Sequence, residues 1–309
     1  MPVHPVIAAR FPLIRDLQPG FDVDDVPESA LAWFAPYGEY ALPDVAVEDR
    51  RIDGPHGPIP VRLYRPRDAS GSGLLWNHGG GFTAGDLDMP EAHAVSAEIA
   101  ARTGAAVVSV DYRLAVGGVR YPVPVDDVAA AWDWFHGAAA GLGVDPARAA
   151  IGGASAGANL AVAAVLRARD ARHPLPSAML LAYPALHFPT PALADGLAAE
   201  MRELPLLLRF TPRMITDITA AYLGRITDIP SNLMPGLADL TDLPPARIVV
   251  SEYDDLRASG ELFAEQLTER GIPVELTVAE GMLHGHLNIP PVPELPEVGR
   301  SIDFLAAAL

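Results

Sequence analysis

The sequence IGGASAGANL, residues 151–160, places one serine between two spaced glycines. The apolar residues before Ser155 predict a short buried strand, and the residues after it predict a helix. A serine on such a strand-to-helix turn is typical of a nucleophile elbow, in which the backbone has a positive φ and the hydroxyl projects above a sheet. The alternative is a glycine-rich turn with an incidental serine, and this motif alone does not decide between the two.

A second motif follows another predicted strand, where residues 78–82 read HGGGF. With 9 His and 27 Gly in 309 residues, a chance arrangement gives the HGGG tetrad only about 0.006 times. Three residues without Cβ let backbone N–H groups turn into a cavity, as an oxyanion hole requires. We therefore expect the amides of Gly80, Gly81 and Ala156 to be its donors. We interpret His78 as a residue that braces this loop rather than as a base.

Two later loops, each after a predicted strand, offer an acid and a base. Serine nucleophiles on this kind of elbow are followed along the chain first by an acid and then by a histidine. Asp254 and His284 fit that order and are the predicted acid and base. Glu252 or Asp255 in the first loop, and His286 in the second, remain alternatives.

The motifs resemble those of the hormone-sensitive-lipase family of α/β-hydrolases, the bacterial esterases that carry H-G-G-G and G-D-x-G signatures. The resemblance begins near residue 59 and continues to the C-terminus. It includes three further segments: DYRLA at 111–115, YPVP at 121–124 and YDDLR at 253–257. It aligns Asp254 with the catalytic aspartate of the family. It also favours His284, which precedes a glycine, over His286.

The chain departs from the family pattern beside the nucleophile and beside the base. The residue before the nucleophile is usually Asp, or Thr in another branch, and here it is Ala154. His286 stands where the family often has an aromatic residue. Neither change removes a member of the triad. We expect Ala154 to affect loop rigidity and pocket shape, and His286 to affect the leaving-group side of the site.

Short strands and helices alternate along the rest of the chain. Strands are predicted at 59–64, 73–77, 105–111, 149–152, 179–183, 246–251 and 274–278, and helices at 90–103, 125–142, 156–171 and 258–270. This alternation implies an α/β fold with a mostly parallel, doubly wound sheet. The resemblance implies the α/β-hydrolase fold, with eight strands, helices on both faces and a helical cap. We expect residues 1–45 to form an N-terminal cap segment, 46–309 the catalytic domain, and about 188–224 a cap insertion.

Composition restricts the class of protein and its partners. The chain has 309 residues, half of them apolar, which is enough for one large core. Because it has no cysteine, disulfides, thiolate metal sites and a cysteine nucleophile are excluded. The formal net charge of −17 disfavours nucleic acid and anionic membranes as partners. No apolar stretch is as long as the roughly 18 residues of a membrane span, and no signal-peptide pattern is present, so we expect a cytoplasmic protein.

The motifs together predict acyl transfer through Ser155, His284 and Asp254, a reaction that needs no metal or organic cofactor. The resemblance implies a carboxylesterase that acts on small short- or medium-chain acyl esters. An amidase or a lactonase would use the same triad and stays an open alternative. A small-molecule receptor is disfavoured because receptor relatives have lost the catalytic histidine, and a scaffolding protein would not need both motifs. A homodimer is compatible with the resemblance, although no residue of the chain demonstrates it.

Overall fold

One sheet of eight strands organises the structure, a computed structural model that describes residues 2–17 and 27–309. The strands are β1 (Ala46–Ile52), β2 (Ile59–Arg65), β3 (Gly73–Asn77), β4 (Ala106–Val110), β5 (Ala149–Ala154), β6 (Met179–Ala182), β7 (Ala246–Tyr253) and β8 (Val274–Leu283). Their order across the sheet is β1-β2-β4-β3-β5-β6-β7-β8. β2 is antiparallel to both of its neighbours, and all other neighbouring strands are parallel.

Helices cover both faces of this sheet. Those in the described residues are α1 (Pro5–Ala8), α2 (Phe11–Ile14), α3 (Glu28–Leu31), α4 (Pro90–Thr103), α5 (Val123–Ala138), α6 (Ala156–Ala171), α7 (Asp195–Arg202), α8 (Pro212–Leu223), α9 (Arg257–Glu269) and α10 (Pro296–Ala306). Successive residues of a strand face opposite sides of a sheet. Leu75 of β3 therefore packs into the core with α5, α6 and α9, whereas Leu74 and Trp76 pack into the core with α4 and α10.

This architecture confirms the predicted α/β-hydrolase fold, with differences in individual elements. The edge strand β1 and the C-terminal helix α10 have no counterpart among the predicted elements. β8 continues to Leu283, beyond the predicted end at residue 278. The remaining strands and the four predicted helices are all present, with ends that differ by a few residues.

Two segments stand apart from the alternation of strands and helices. The described part of 1–45 contains α1 to α3 and a 3-10 turn at Ala32–Phe34, whereas residue 1 and residues 18–26 of the predicted N-terminal cap lie outside the described residues. The predicted insertion 188–224 contains α7, a 3-10 turn at Leu206–Leu208, and α8. Residues from both segments line one cavity. In the ranges 2–17 and 27–309, no helix combines the length and apolar character needed to cross a bilayer.

Candidate active site

Ser155 lies in a strained turn between β5 and α6. Its φ of 52° and ψ of −116° lie outside the regions that residues with side chains ordinarily adopt. The start of α6 lies very close to the backbone at the end of β3. A Cβ on Gly157 would lie 2.2 Å from the carbonyl oxygens of both Asn77 and His78. Only glycine fits at that position. The turn therefore fixes Ser155 at the carboxyl end of β5, where ligands of open α/β sheets bind.

A chain of hydrogen bonds joins Ser155, His284 and Asp254. The Oγ of Ser155 lies 2.9 Å from Nε2 of His284, and Nδ1 of His284 lies 2.7 Å from Oδ2 of Asp254. The amide of Leu256 donates to Oδ1 of Asp254 at 2.8 Å, which holds the carboxylate in one orientation. The Asp254 side chain is fully buried and that of His284 is only 8% exposed. The structure thus brings together the residues predicted as nucleophile, base and acid.

The two alternative acids have other partners. Asp255 accepts hydrogen bonds from the guanidinium of Arg209 at 2.8 and 2.9 Å and from the amide of Phe210 at 2.7 Å. Glu252 accepts a hydrogen bond from the amide of Gly281 at 2.6 Å. The Nδ1 position of the imidazole is taken by Asp254, so the geometry favours Asp254 over both alternatives.

His286, the alternative base, is buried between two hydroxyl groups. Its Nδ1 lies 2.9 Å from Oγ of Ser251, and its Nε2 lies 2.9 Å from Oγ of Ser301. Burial, reinforced by the neighbouring His284, lowers the pKa of His286 to about 3. Both ring nitrogens are engaged by hydroxyls, so His286 is a neutral packing residue in the wall of the site rather than a base for Ser155.

The HGGG loop after β3 supplies unpaired amides beside Ser155. Within the described residues, the backbone amides of Gly80 and Gly81 donate to no protein acceptor, and both residues line the same cavity as Ser155. The amide of Ala156 is at the first position of α6, where a helix offers its N–H groups no internal partner. Gly80 has a φ of 104°, and a Cβ there would lie 2.0 Å from the carbonyl oxygen of Ala84. The amides of Gly80 and Gly81 are therefore unpaired at the cavity, and that of Ala156 has no partner inside its helix.

The buried side chain of His78 packs against the backbone of this loop. Its Nδ1 lies 2.8 Å from the carbonyl oxygen of Gly79, and its ring stacks on Tyr112 with centroids 4.4 Å apart. The Tyr112 hydroxyl donates to the carbonyl oxygens of His78 and Gly79 at 2.9 and 3.1 Å. Burial lowers the pKa of His78. These contacts agree with its interpretation as a loop-bracing residue.

Ser155 opens into a cavity of about 920 Å³. Apolar residues from the insertion and from the N-terminal segment line it: Leu207, Leu208, Phe210, Met214 and Ile218 from the former, and Trp33, Phe34, Pro36 and Tyr37 from the latter. The Phe210 ring packs edge-on against the His284 ring, with centroids 4.5 Å apart. The volume lies within the roughly 300–1,000 Å³ range of small-molecule sites.

Glu91 is a residue of this site that the sequence analysis missed. It lies in the first turn of α4, is 1% exposed and lines the cavity. Its carboxylate accepts hydrogen bonds from the Gly79 amide, the Tyr183 hydroxyl and the Asn288 side-chain amide. Burial raises its pKa. An acid in the first turn of a predicted helix is ordinarily exposed and stabilises the helix dipole, so the sequence carried no sign that this one is buried.

The sheet, the elbow and the hydrogen-bonded triad geometry define a hydrolase-type site at the carboxyl ends of β3, β5, β7 and β8. A family model described as the alpha/beta hydrolase fold matches residues 74–288, a range that begins in β3 and ends just beyond His286. The chain belongs to this family, and its resemblance to the hormone-sensitive-lipase-like esterases is confirmed.

Individual relatives cover most of the chain. Esterase LipI of Mycobacterium tuberculosis is 37% identical over 258 residues, which are 79% of this chain and 76% of that protein. Carboxylesterase NlhH of the same organism is 37% identical over 281 residues, 87% of this chain and 84% of that one. A hyperthermophilic esterase from the archaeon Pyrobaculum calidifontis superposes with a TM-score of 0.76 at 35% identity, covering 85% of this chain and 84% of its own.

Proposed function

We propose that this protein is a serine carboxylesterase that hydrolyses short- to medium-chain acyl esters. One observation carries the proposal: the hydrogen-bonded chain from Asp254 through His284 ends at the hydroxyl of Ser155, which lines the cavity. Similarity to proteins named esterase and carboxylesterase supports the same activity. An intact hydrogen bond between His284 and Ser155 favours an enzyme over a receptor on this scaffold.

Acylation follows from the positions of the three side chains. Nε2 of His284 takes the proton of the Ser155 hydroxyl as Oγ attacks the ester carbonyl carbon. Asp254 holds the proton on Nδ1 and stabilises the imidazolium that forms. The imidazolium then gives its Nε2 proton to the leaving alcohol oxygen as the carbon–oxygen bond breaks. An acyl group on Ser155 and a free alcohol are the result.

The oxyanion formed during attack needs donors fixed in advance. The amides of Gly80, Gly81 and Ala156 are the donors in this proposal, and each is worth about 3 kcal/mol in the transition state by analogy with measured oxyanion holes. The positive end of the α6 dipole adds to the same field. In the second half of the reaction, Nε2 of His284 takes a proton from a water, whose oxygen attacks the acyl carbon. The bond from that carbon to Oγ of Ser155 then breaks, His284 returns its proton to Oγ, and the acid is released.

The cap residues define the acyl specificity in this proposal. The side chains that the insertion contributes to the cavity are mostly apolar. Ile218 of α8 lies close to Gly81 of the HGGG loop, which we call the oxyanion loop from here on. Apolar walls favour an uncharged hydrocarbon acyl chain, because burying apolar surface is favourable by about 0.8 kcal/mol per CH₂. We assign residues 188–224 and the described part of 1–45 to the cap on the basis of this shared lining.

The proposal is tested by initial rates on p-nitrophenyl esters from acetate to laurate, for the wild type and Ser155→Ala. We expect rates that peak at short or medium acyl chains, and a kcat lower by roughly 10⁵-fold or more in the variant. Ser177→Ala is the matched control, because the Ser177 hydroxyl donates to the Ala149 carbonyl oxygen and lines no part of the cavity.

Two outcomes would redirect the assignment. Substantial activity in purified, folded Ser155→Ala would exclude Ser155 as the nucleophile. A higher kcat/KM on the p-nitroanilides of the same acyl groups than on the esters would replace the esterase by an amidase, with the same triad.

A further inference from the structure

Glu91 is a fully buried acid whose hydrogen bonds reach both halves of the catalytic machinery. Its Oε2 accepts the Gly79 amide at 2.5 Å, so it holds the first glycine of the oxyanion loop. A Cβ on Gly79 would lie 2.6 Å from that oxygen and 3.2 Å from Cβ of Ser155. The carboxylate therefore contacts the first glycine of this loop, and that glycine lies next to Ser155.

The other carboxylate oxygen of Glu91 reaches the histidine side of the site. Oε1 accepts the Tyr183 hydroxyl at 2.5 Å and the Asn288 side-chain amide at 3.2 Å. The Tyr183 ring packs edge-on against the His284 ring, with centroids 4.9 Å apart. Asn288 ends the short turn that follows the His284 loop, and its backbone amide donates to Gly285 at 2.9 Å.

We propose that Glu91 is a positioning residue that sets the distance between the oxyanion loop and His284, through Gly79 on one side and Tyr183 and Asn288 on the other. The inference rests on the proposed function, since it assigns these two loops their roles in ester hydrolysis. Glu91 acts through its neighbours and takes no part in proton transfer. Its effect is greatest in the transition state, when the oxyanion and the imidazolium exist together.

A glutamine cannot reproduce this arrangement. Both oxygens of the Glu91 carboxylate accept hydrogen bonds from N–H donors, those of Gly79 and Asn288, whereas a glutamine amide has only one acceptor oxygen. In Glu91→Gln, one of those two donors must face an NH₂ group. The variant keeps the volume of the side chain and changes only the hydrogen bonding and the charge.

The test compares Glu91→Gln and Glu91→Ala with the wild type, using p-nitrophenyl butyrate hydrolysis and the rate of covalent labelling by a fluorophosphonate. We expect kcat to fall about 10-fold in Glu91→Gln and about 100-fold in Glu91→Ala, with KM within about twofold. Labelling should slow in parallel, because phosphonylation also develops negative charge at the oxyanion donors. A residue with a role in stability alone would lower the melting temperature without changing kcat in the folded fraction.

Glu98→Gln is the matched control on the same helix. Glu98 is nearly buried, pairs with Arg102 and does not line the cavity. It accepts the hydroxyl of Tyr40, which does line the cavity, and the oxygen of a glutamine can still accept that hydroxyl. Its substitution should leave kcat and the labelling rate unchanged. Where Glu91→Gln does not fold, Tyr183→Phe and Asn288→Ala remove the donors on the histidine side one at a time. Each should lower kcat with little change in KM.

The outcomes separate this inference from the proposed function. An active wild type with unchanged kcat and labelling rate in folded Glu91→Gln overturns the inference alone, as do unchanged values in both Tyr183→Phe and Asn288→Ala. A wild type that hydrolyses no ester overturns the proposed function, and the labelling rates of the variants then still decide the positioning role. A wild type that is neither active nor labelled overturns both.

Discussion

Two histidines two residues apart have opposite environments in this site. His284 lies between a carboxylate and a hydroxyl, so a positive charge on its ring would have a counter-ion. His286 lies between the hydroxyls of Ser251 and Ser301, which offer hydrogen bonds but no compensating charge. Its pKa is accordingly lowered to about 3, chiefly by burial. The partner at each ring nitrogen, rather than the position in the sequence, distinguishes His284, the proposed base, from His286, a packing residue.

Because His286 is buried in its neutral form, we expect the folded protein to lose stability in acid. Between the folded-state pKa of about 3 and the ordinary value near 6.5, the unfolded chain binds a proton that the folded chain does not. The free energy of unfolding therefore falls as pH drops through 6.5, by about 1 kcal/mol between about pH 7.5 and about pH 5.5 from this residue alone. We expect His286→Gln to remove that contribution, so that its melting temperature falls less than that of the wild type over this range.

The matched control for this prediction is His173→Gln, at a half-exposed histidine on the surface. That variant should keep the pH dependence of the wild type. The prediction is checked by melting curves of the wild type, His286→Gln and His173→Gln at about pH 7.5 and about pH 5.5. Equal slopes in His286→Gln and the wild type would show that the histidine is not buried in its neutral form.

Ser155 and Gly80 could be identified from the sequence because each belongs to a short motif. Ser155 and Gly80 belong to short motifs whose glycines are required by nearby backbone, so the pattern is visible in a few consecutive letters. Glu91 and Tyr183 act through contacts between segments 92 residues apart. Nothing in the sequence near either residue indicates such a contact, because it depends on how α4 and β6 pack in the finished fold.

At the scale of elements, one partly buried ion pair joins the insertion to the loop that carries Asp254, the proposed acid. Arg209 makes two hydrogen bonds to Asp255, and a third to the carbonyl oxygen of Met201 at 2.6 Å. Both side chains of the pair are less than 15% exposed. Asp255 also accepts the amide of Phe210, whose ring packs on His284. The insertion is thereby attached directly beside the loop that carries Asp254.

This attachment predicts a large effect for Arg209→Met. The substitution removes the counter-ion of a nearly buried carboxylate, and such changes typically cost about 2–5 kcal/mol. We expect a lower melting temperature and a lower kcat/KM, because the Asp255 carboxylate, which also accepts the Phe210 amide, loses its counter-ion and holds Phe210 less firmly beside His284. Thermal unfolding and ester hydrolysis measure the two effects.

Arg213→Met on α8 is the control for that comparison. Arg213 is 93% exposed and lies 3.9 Å from the exposed Asp217, so the pair contributes at most about 0.5 kcal/mol. If the two variants had equal stability and equal activity, the Arg209–Asp255 pair would not anchor the insertion.

The edge strand β1 could not be predicted from its own residues. The β1 sequence AVEDRRI has no alternation of apolar and polar residues, and its first four residues are exposed in the fold. It is a strand because β2 pairs with it along its whole length, which is a tertiary effect. By contrast, β3 and β4 are fully buried and mostly apolar, and their composition alone predicts them.

At the scale of the molecule, two distant parts of the chain enclose the cavity. The N-terminal segment is attached to the sheet, since the amide of His4 donates to the carbonyl oxygen of Gly281 in β8 at 2.9 Å. Arg10 then holds the segment that lines the cavity: it donates to the carbonyl oxygens of Trp33 and Pro36 at 3.2 and 3.0 Å and lies 3.8 Å from the Tyr37 ring centroid. The site is thus a product of the whole chain, although its chemistry is assigned to a few residues.

The most direct test of the central claim is the mass of the intact protein after reaction with a fluorophosphonate, followed by peptide mapping of the adduct. The proposed function predicts one phosphonyl group per chain, attached to the peptide that contains Ser155, and no adduct in Ser155→Ala or after prior unfolding. An unmodified wild-type protein, or an adduct on another residue that persists in Ser155→Ala, would contradict the assignment of Ser155 as the nucleophile.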